Sequence, residues 1–108
     1  MTSMLEEYLP TPQQAKDDLH YDENRLAQVE ADEPSDPHSR FGWLSVRRNI
    51  FGDLADRASA LALAWDRVGD EAAATATVEV GEHYLYQFKL AEAALEDHRR
   101  QLVPDTDL

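Results

Sequence analysis

The sequence predicts an all-α fold, a three-helix bundle built on a long antiparallel helical hairpin. Three observations predict it. From Leu44 to Val68 the apolar residues Leu44, Phe51, Leu54, Ala58, Leu61, Trp65 and Val68 fall on alternating steps of three and four, a heptad-like seam broken only by Arg47. Helix start and stop signals divide the chain near 11–14, 33–37 and 69–70. The flanking stretches 71–76 and 90–102 consist largely of strong helix formers. The expected helices cover about 12–32, 38–68 and 71–103. They form one domain over 11–103, with a tail or short helical turn at 1–10 and a tail at 104–108.

Residues 1–10 carry Met4, Leu5, Tyr8 and Leu9 around Glu6 and Glu7, enough for one amphipathic turn before Pro10 and Pro12 end it. The first helix opens on Thr11-Pro12-Gln13-Gln14. Thr11 can cap, proline fits the first helical position, and Gln14 can complete a capping box. Its apolar stripe is thin: Ala15, Leu19, Leu26 and Val29 share a face that Asp22 interrupts. Such a helix depends on its neighbours for stability.

Glu33-Pro34-Ser35-Asp36-Pro37 breaks the pattern, and Ser35 or Asp36 can cap the second helix. At about 31 residues, that helix would be a rod of roughly 46 Å. Gly42 and Gly52 weaken it and mark either a bend or the close approach of another backbone. Gly69-Asp70 reads as a left-handed stop followed by a new cap, so the second and third helices become antiparallel neighbours. Within 75–90 the β-branched and aromatic content allows an alternative α+β fold, with a β-hairpin turning at Gly81-Glu82. Against it, Val80, Tyr84, Phe88, Ala91, Leu95 and Leu102 make one continuous helical stripe.

Composition narrows the function classes. An apolar share of 43% is that of a globular chain rather than a disordered one. The absence of cysteine removes disulfides, thiolate metal sites and cysteine nucleophiles together. A net charge of −12 opposes direct nucleic-acid binding and association with anionic membranes. No apolar run reaches the length of a membrane span, and the first residues lack a signal-peptide pattern. The expected location is the cytoplasm, or the interior of a virion if the chain is viral.

The charge is also segregated. Residues 1–37 hold ten acids and two bases, 38–68 three acids and five bases, and 69–108 nine acids and three bases. The central helix is therefore expected to pair with acids of both neighbours.

Chemistry-bearing groups are sparse. Glu79 and His83, like Asp17 and His20, share helix faces, and with Glu82 and Asp22 could supply an oxygen and imidazole metal site. The Glu-x-x-His step of di-iron bundles is absent. Ser45, Ser59 and the histidines lack a nucleophile-elbow context, and no phosphate-binding loop occurs. No catalytic, cofactor or metal residue is assigned, and no enzyme activity or small-molecule substrate is expected. The helical-hairpin architecture resembles that of small secreted WXG-type proteins. The Trp-x-Gly turn of that family is missing, since Trp65 is followed by Gly69 four positions on, and no function is carried across.

What remains is a protein surface. The first helix is shorter than the hairpin and is expected to cover 38 to about 57, leaving the tip at 58–80 with two helices. The tip is apolar nearly all round. Leu61, Leu63, Trp65, Val68, Ala72 and Ala76 are accordingly the expected interface with a protein partner or with a second copy in a homo-oligomer. Trp65 is the expected anchor, because tryptophan is enriched at binding hot spots. The function expected first is thus a non-enzymatic interaction or assembly subunit. Two alternatives are an acidic inhibitor that mimics nucleic acid in a basic site, and a carboxylate/histidine metal bundle.

Overall fold

A computed structural model describes residues 9–102. Three helices follow one another: α1 (Pro12–Glu30), α2 (Pro37–Arg67) and α3 (Glu71–Leu102), with no strand among the described residues. The expected boundaries hold to within two residues, apart from the expected end at 103. That end, the turn or tail over 1–8 and the tail at 104–108 lie outside the described residues. The β-hairpin alternative is overturned, because α3 runs unbroken through 75–90. A two-residue hairpin turn needs a residue with positive φ. Among the described residues only Gly69 has one, at φ 82°, so Gly81 sits in ordinary helical backbone.

Local chemistry sets the ends. Thr11 and Gln14 form a reciprocal capping box: the Gln14 amide donates to the Thr11 hydroxyl at 3.2 Å, and the Thr11 amide to Gln14 Oε1 at 2.9 Å. Asp36, rather than Ser35, caps α2 by accepting from the Ser39 amide at 2.9 Å, with Pro37 at the first position. That bond holds the Asp36 carboxyl below the ordinary aspartate range. At the hairpin, the amide of Gly69 donates to the Asp66 carbonyl and that of Asp70 to the Trp65 carbonyl, both at 3.0 Å. This is a Schellman motif that requires the left-handed glycine. Asp70 then caps α3 through the Ala73 amide at 3.0 Å.

Backbone contact joins α2 to α3 and α1 to α2, while no Cα of α1 comes within 8 Å of one of α3. The hairpin is tight. A Cβ on Gly52 would press to 3.3 Å from the Phe88 ring, which explains the glycine as a point of close approach. Ala15 and Leu19 of α1, Ile50, Phe51, Leu54, Leu61 and Ala64 of α2, and Ala91 of α3 form one buried cluster. Leu26, Val29, Trp65, Tyr84 and Phe88 close around it. Helices α1 and α3 meet through side chains: the Tyr84 hydroxyl donates to Glu23 at 2.6 Å.

Two sequence breaks turn out to be anchors. Asp22, which interrupts the α1 stripe, is 1% exposed. Its oxygens accept from Arg25 at 2.8 Å and from Arg57 of α2 at 3.1 Å. Arg47, which interrupts the α2 seam, pairs with Glu30 at 3.1 Å and lies over the Phe51 ring at 4.9 Å. Arg40 pairs with Glu33, and Arg57 also reaches Asp18 at 3.7 Å. Pairing with the acidic N-terminal third is therefore as expected. Pairing with α3 is not found: among the described residues no ion pair joins α2 to α3, and Glu96 pairs with Arg99 and Arg100 of its own helix.

The reach of α1 also differs from expectation. Glu30 stands opposite Arg47, Asp22 opposite Arg57, and the Pro10 carbonyl accepts from Arg67 at the end of α2. The connection from Ala31 to Asp36 does not reverse the chain at the first turn of α2. It runs back beside α2 while that helix extends beyond the end of α1. The Trp43 indole clamps the junction by donating to the Val29 carbonyl at 2.6 Å. Helix α1 is thereby displaced toward the tip, and covers one side of α2 as far as Ala64.

The Tyr84 link predicts a pH dependence. Burial first, then the Glu23 carboxylate that accepts its bond, push the Tyr84 hydroxyl well above the ordinary tyrosine value. The folded chain holds this proton more tightly than the unfolded chain. The stabilisation is therefore complete below about pH 10, where the free phenol ionises, and is lost as pH rises toward the higher folded value. Urea denaturation at pH 7 is expected to show Tyr84→Phe less stable by about 1 kcal/mol. The gap between the two proteins should narrow from pH 10 upward; a gap that stays constant to pH 11.5 would show that the bond does not contribute.

Candidate interaction surface

The displaced α1 divides the six expected interface residues. Leu61 is only 6% exposed and packs in the core cluster with Ala15 and Ala64, so it is corrected from interface to core. Trp65 is half-buried against the same cluster. Leu63 and Val68 remain open at 66% and 61%. Ala72 and Ala76 are also exposed. Ala76 stands one turn before Val80 and two before Tyr84, on the side of α3 that leans toward α1. Leu63 faces the other way, and the tip is not one continuous patch.

Leu63 belongs to a different surface. At 100° per residue, Ala55 and Ser59 lie about 160° around α2 from the α1-facing Arg57, and Leu63, one turn beyond Ser59, lies about 120° from it. Across from them on α3 stand Val78, Gly81, Glu82 and Leu85. Together Ala55, Asp56, Ser59, Val78, Gly81, Glu82 and Leu85 line a groove of about 280 Å³ along the hairpin, on the flank that α1 leaves bare. Val78 and Leu85 are 51% and 46% exposed, so the walls present apolar side chains to solvent. The floor is made of small residues. A Cβ on Gly81 would sit in ordinary contact, 3.4 Å from the Ala58 methyl. Packing between α2 and α3 therefore does not require glycine there, although glycine inside a helix costs up to about 1 kcal/mol relative to alanine.

The groups considered for metal binding are dispersed. Both oxygens of Asp22 are engaged by arginines. Asp17 and His20 stand on α1, while Glu79, Glu82 and His83 stand on α3, two helices whose backbones do not touch. No set of three or more such groups is gathered among the described residues. Trp43 is a junction residue, with its indole on Val29 and the guanidinium groups of Arg40 and Arg47 at 5.6 and 5.8 Å from its ring. No helix among the described residues is long and apolar enough to cross a membrane.

No family model, curated protein or solved structure matches the chain.

The different surroundings of neighbouring leucines give a direct check. Leu61→Ala is expected to cost about 2–4 kcal/mol in urea denaturation, as for other buried leucines. Leu63→Ala should change stability by less than about 0.5 kcal/mol. Equal costs would contradict the division between core and surface.

Proposed function

We propose that the protein is a non-enzymatic helical interaction module whose working surface is the bare flank of the α2/α3 hairpin. The observation that carries this reading is the groove itself, in which exposed Val78 and Leu85 rise over a floor of Ala55, Ser59 and Gly81, with exposed Leu63 one turn beyond Ser59 on α2. Three helices fill only part of the space that a four-helix bundle would occupy, and a helix laid in the groove would complete the arrangement. At about 280 Å³ the groove is at the lower limit of pockets that enclose small molecules, and it is open along its length. It suits a row of side chains from another helix better than a free metabolite. Exposed apolar groups aligned on one face are a recognised mark of protein contact.

The test is affinity purification from the native host, followed by titration of the recovered partner against the wild type and the Leu63→Ser/Val78→Ser/Leu85→Ser variant. The variant is expected to melt close to the wild type and to bind about tenfold or more weaker. A partner that binds both proteins equally would place the working surface elsewhere.

A further inference from the structure

We infer that the groove receives a basic amphipathic helix from another protein, an inference that rests on the interaction reading above and specifies its partner. Each wall of the groove carries a carboxylate, Asp56 on α2 and Glu82 on α3. Neither has an ion-pair or hydrogen-bond partner among the described residues, in contrast to Asp18, Asp22, Glu30 and Asp53, which are all engaged by arginines.

The asymmetry has a structural cause. Arg40, Arg47, Arg57 and Arg67 of α2 are committed to the α1 side, where they hold Glu33, Glu30, Asp22 and the Pro10 carbonyl. Only Arg48 of α2 is left near the other flank. It lines a separate depression beyond the groove, with Lys89, Glu92 and Glu96. Between Val78 and Leu85 the groove thus combines a floor of small residues and apolar walls with negative rims, in a chain of net charge −12.

That combination selects the occupant. A helix presenting apolar residues at i, i+3, i+4 and i+7, flanked by lysine or arginine, would seat its apolar stripe between Val78 and Leu85 and place its cations against Asp56 and Glu82. The groove runs along eight residues of α3, from Val78 to Leu85, or about 12 Å, which corresponds to about two turns of the incoming helix. Gly81 and the small side chains of Ala55 and Ser59 permit close approach of its backbone. A second copy of this chain fits less well. In a two-fold contact through the same face, each copy would bring its own Asp56 and Glu82 against those of its mate.

The experiment is fluorescence anisotropy on the full chain with two labelled synthetic peptides of about 16 residues, one of leucine and lysine in an amphipathic helical pattern, the other with glutamate at every lysine position. The lysine peptide is expected to bind about tenfold or more tightly than the glutamate peptide, and to weaken as salt is raised. Asp56→Lys/Glu82→Lys should weaken the lysine peptide about tenfold or more. Asp17→Lys/Asp97→Lys changes net charge equally at sites away from the groove, and should leave its affinity within about twofold. If both double reversals weaken binding alike, the attraction belongs to the whole molecule and the inference fails. If both peptides bind equally and Leu63→Ser/Val78→Ser/Leu85→Ser weakens both, the groove remains the working surface but its partner is not cationic. If neither peptide binds, the inference is overturned, while the interaction reading stands or falls on its own partner titration. A dimer in light scattering that this triple variant dissociates would make the occupant a second copy and overturn the cationic partner.

Discussion

The architecture depends on one buried carboxylate. Taking an aspartate out of water costs several kcal/mol unless its charge is met by well-placed donors. Asp22 is met by Arg25 from its own helix and by Arg57 from the next, at 2.8 and 3.1 Å. Charge-assisted bonds of this kind are directional, so they fix position as well as energy. Sliding α1 by one turn would set Asp22 against Leu61 in one direction or Asp53 in the other, and leave the buried carboxylate with Arg25 alone, without the Arg57 bond that ties it to α2. The thin stripe of Ala15, Leu19, Leu26 and Val29 could not discriminate among such registers, because leucines and alanines pack acceptably after a one-turn shift. A polar group in an apolar seam is best attested as a device for setting register, and Asp22 occupies that role here.

The register has consequences at both ends. It brings the start of α1 to Arg67, buries Leu61 and Ala64, and leaves the first turns of α2 to be tied down by Trp43 on Val29. It also draws the α2 arginines to one side. The contact of α2 with α3 carries no ion pairs among the described residues and rests mainly on apolar packing, close enough at Gly52 that an added methyl would press on the Phe88 ring. The flank opposite α1 inherits what is left over: small residues, exposed Leu63, Val78 and Leu85, and two carboxylates without partners. The groove and its charge follow from where α1 lies, not from any motif within the groove.

That dependence explains how much was legible in the sequence. Thr11, Asp36 and the Gly69-Asp70 pair could be recognised because caps and turns are set by a few adjacent residues. The competing β-hairpin in 75–90 arose from propensity alone, and packing of the α3 stripe on α2 outweighs it. Helix lengths alone place α1 over 38 to about 57, because length carries no information on whether the connection from Ala31 to Asp36 reverses the chain at once. Asp22 interrupts the apolar stripe of α1, and nothing local to it indicates that Arg57 arrives from 35 residues on. Leu61 and Leu63 differ by two positions and have opposite fates. The seam through Leu54, Ala58 and Trp65 already separated them, but the side occupied by α1 was needed to make Leu61 core rather than contact surface. The groove could not be seen without that same piece of information.

A double-mutant cycle tests the central claim most directly. Stability to urea would be measured for the wild type, Asp22→Ala, Arg57→Ala and the double variant. If the pair sets the register, each single change is costly and the two are strongly non-additive, with a coupling of about 1–3 kcal/mol. Additivity to within about 0.5 kcal/mol would show that Asp22 and Arg57 act independently, and would contradict the account of how α1 is placed.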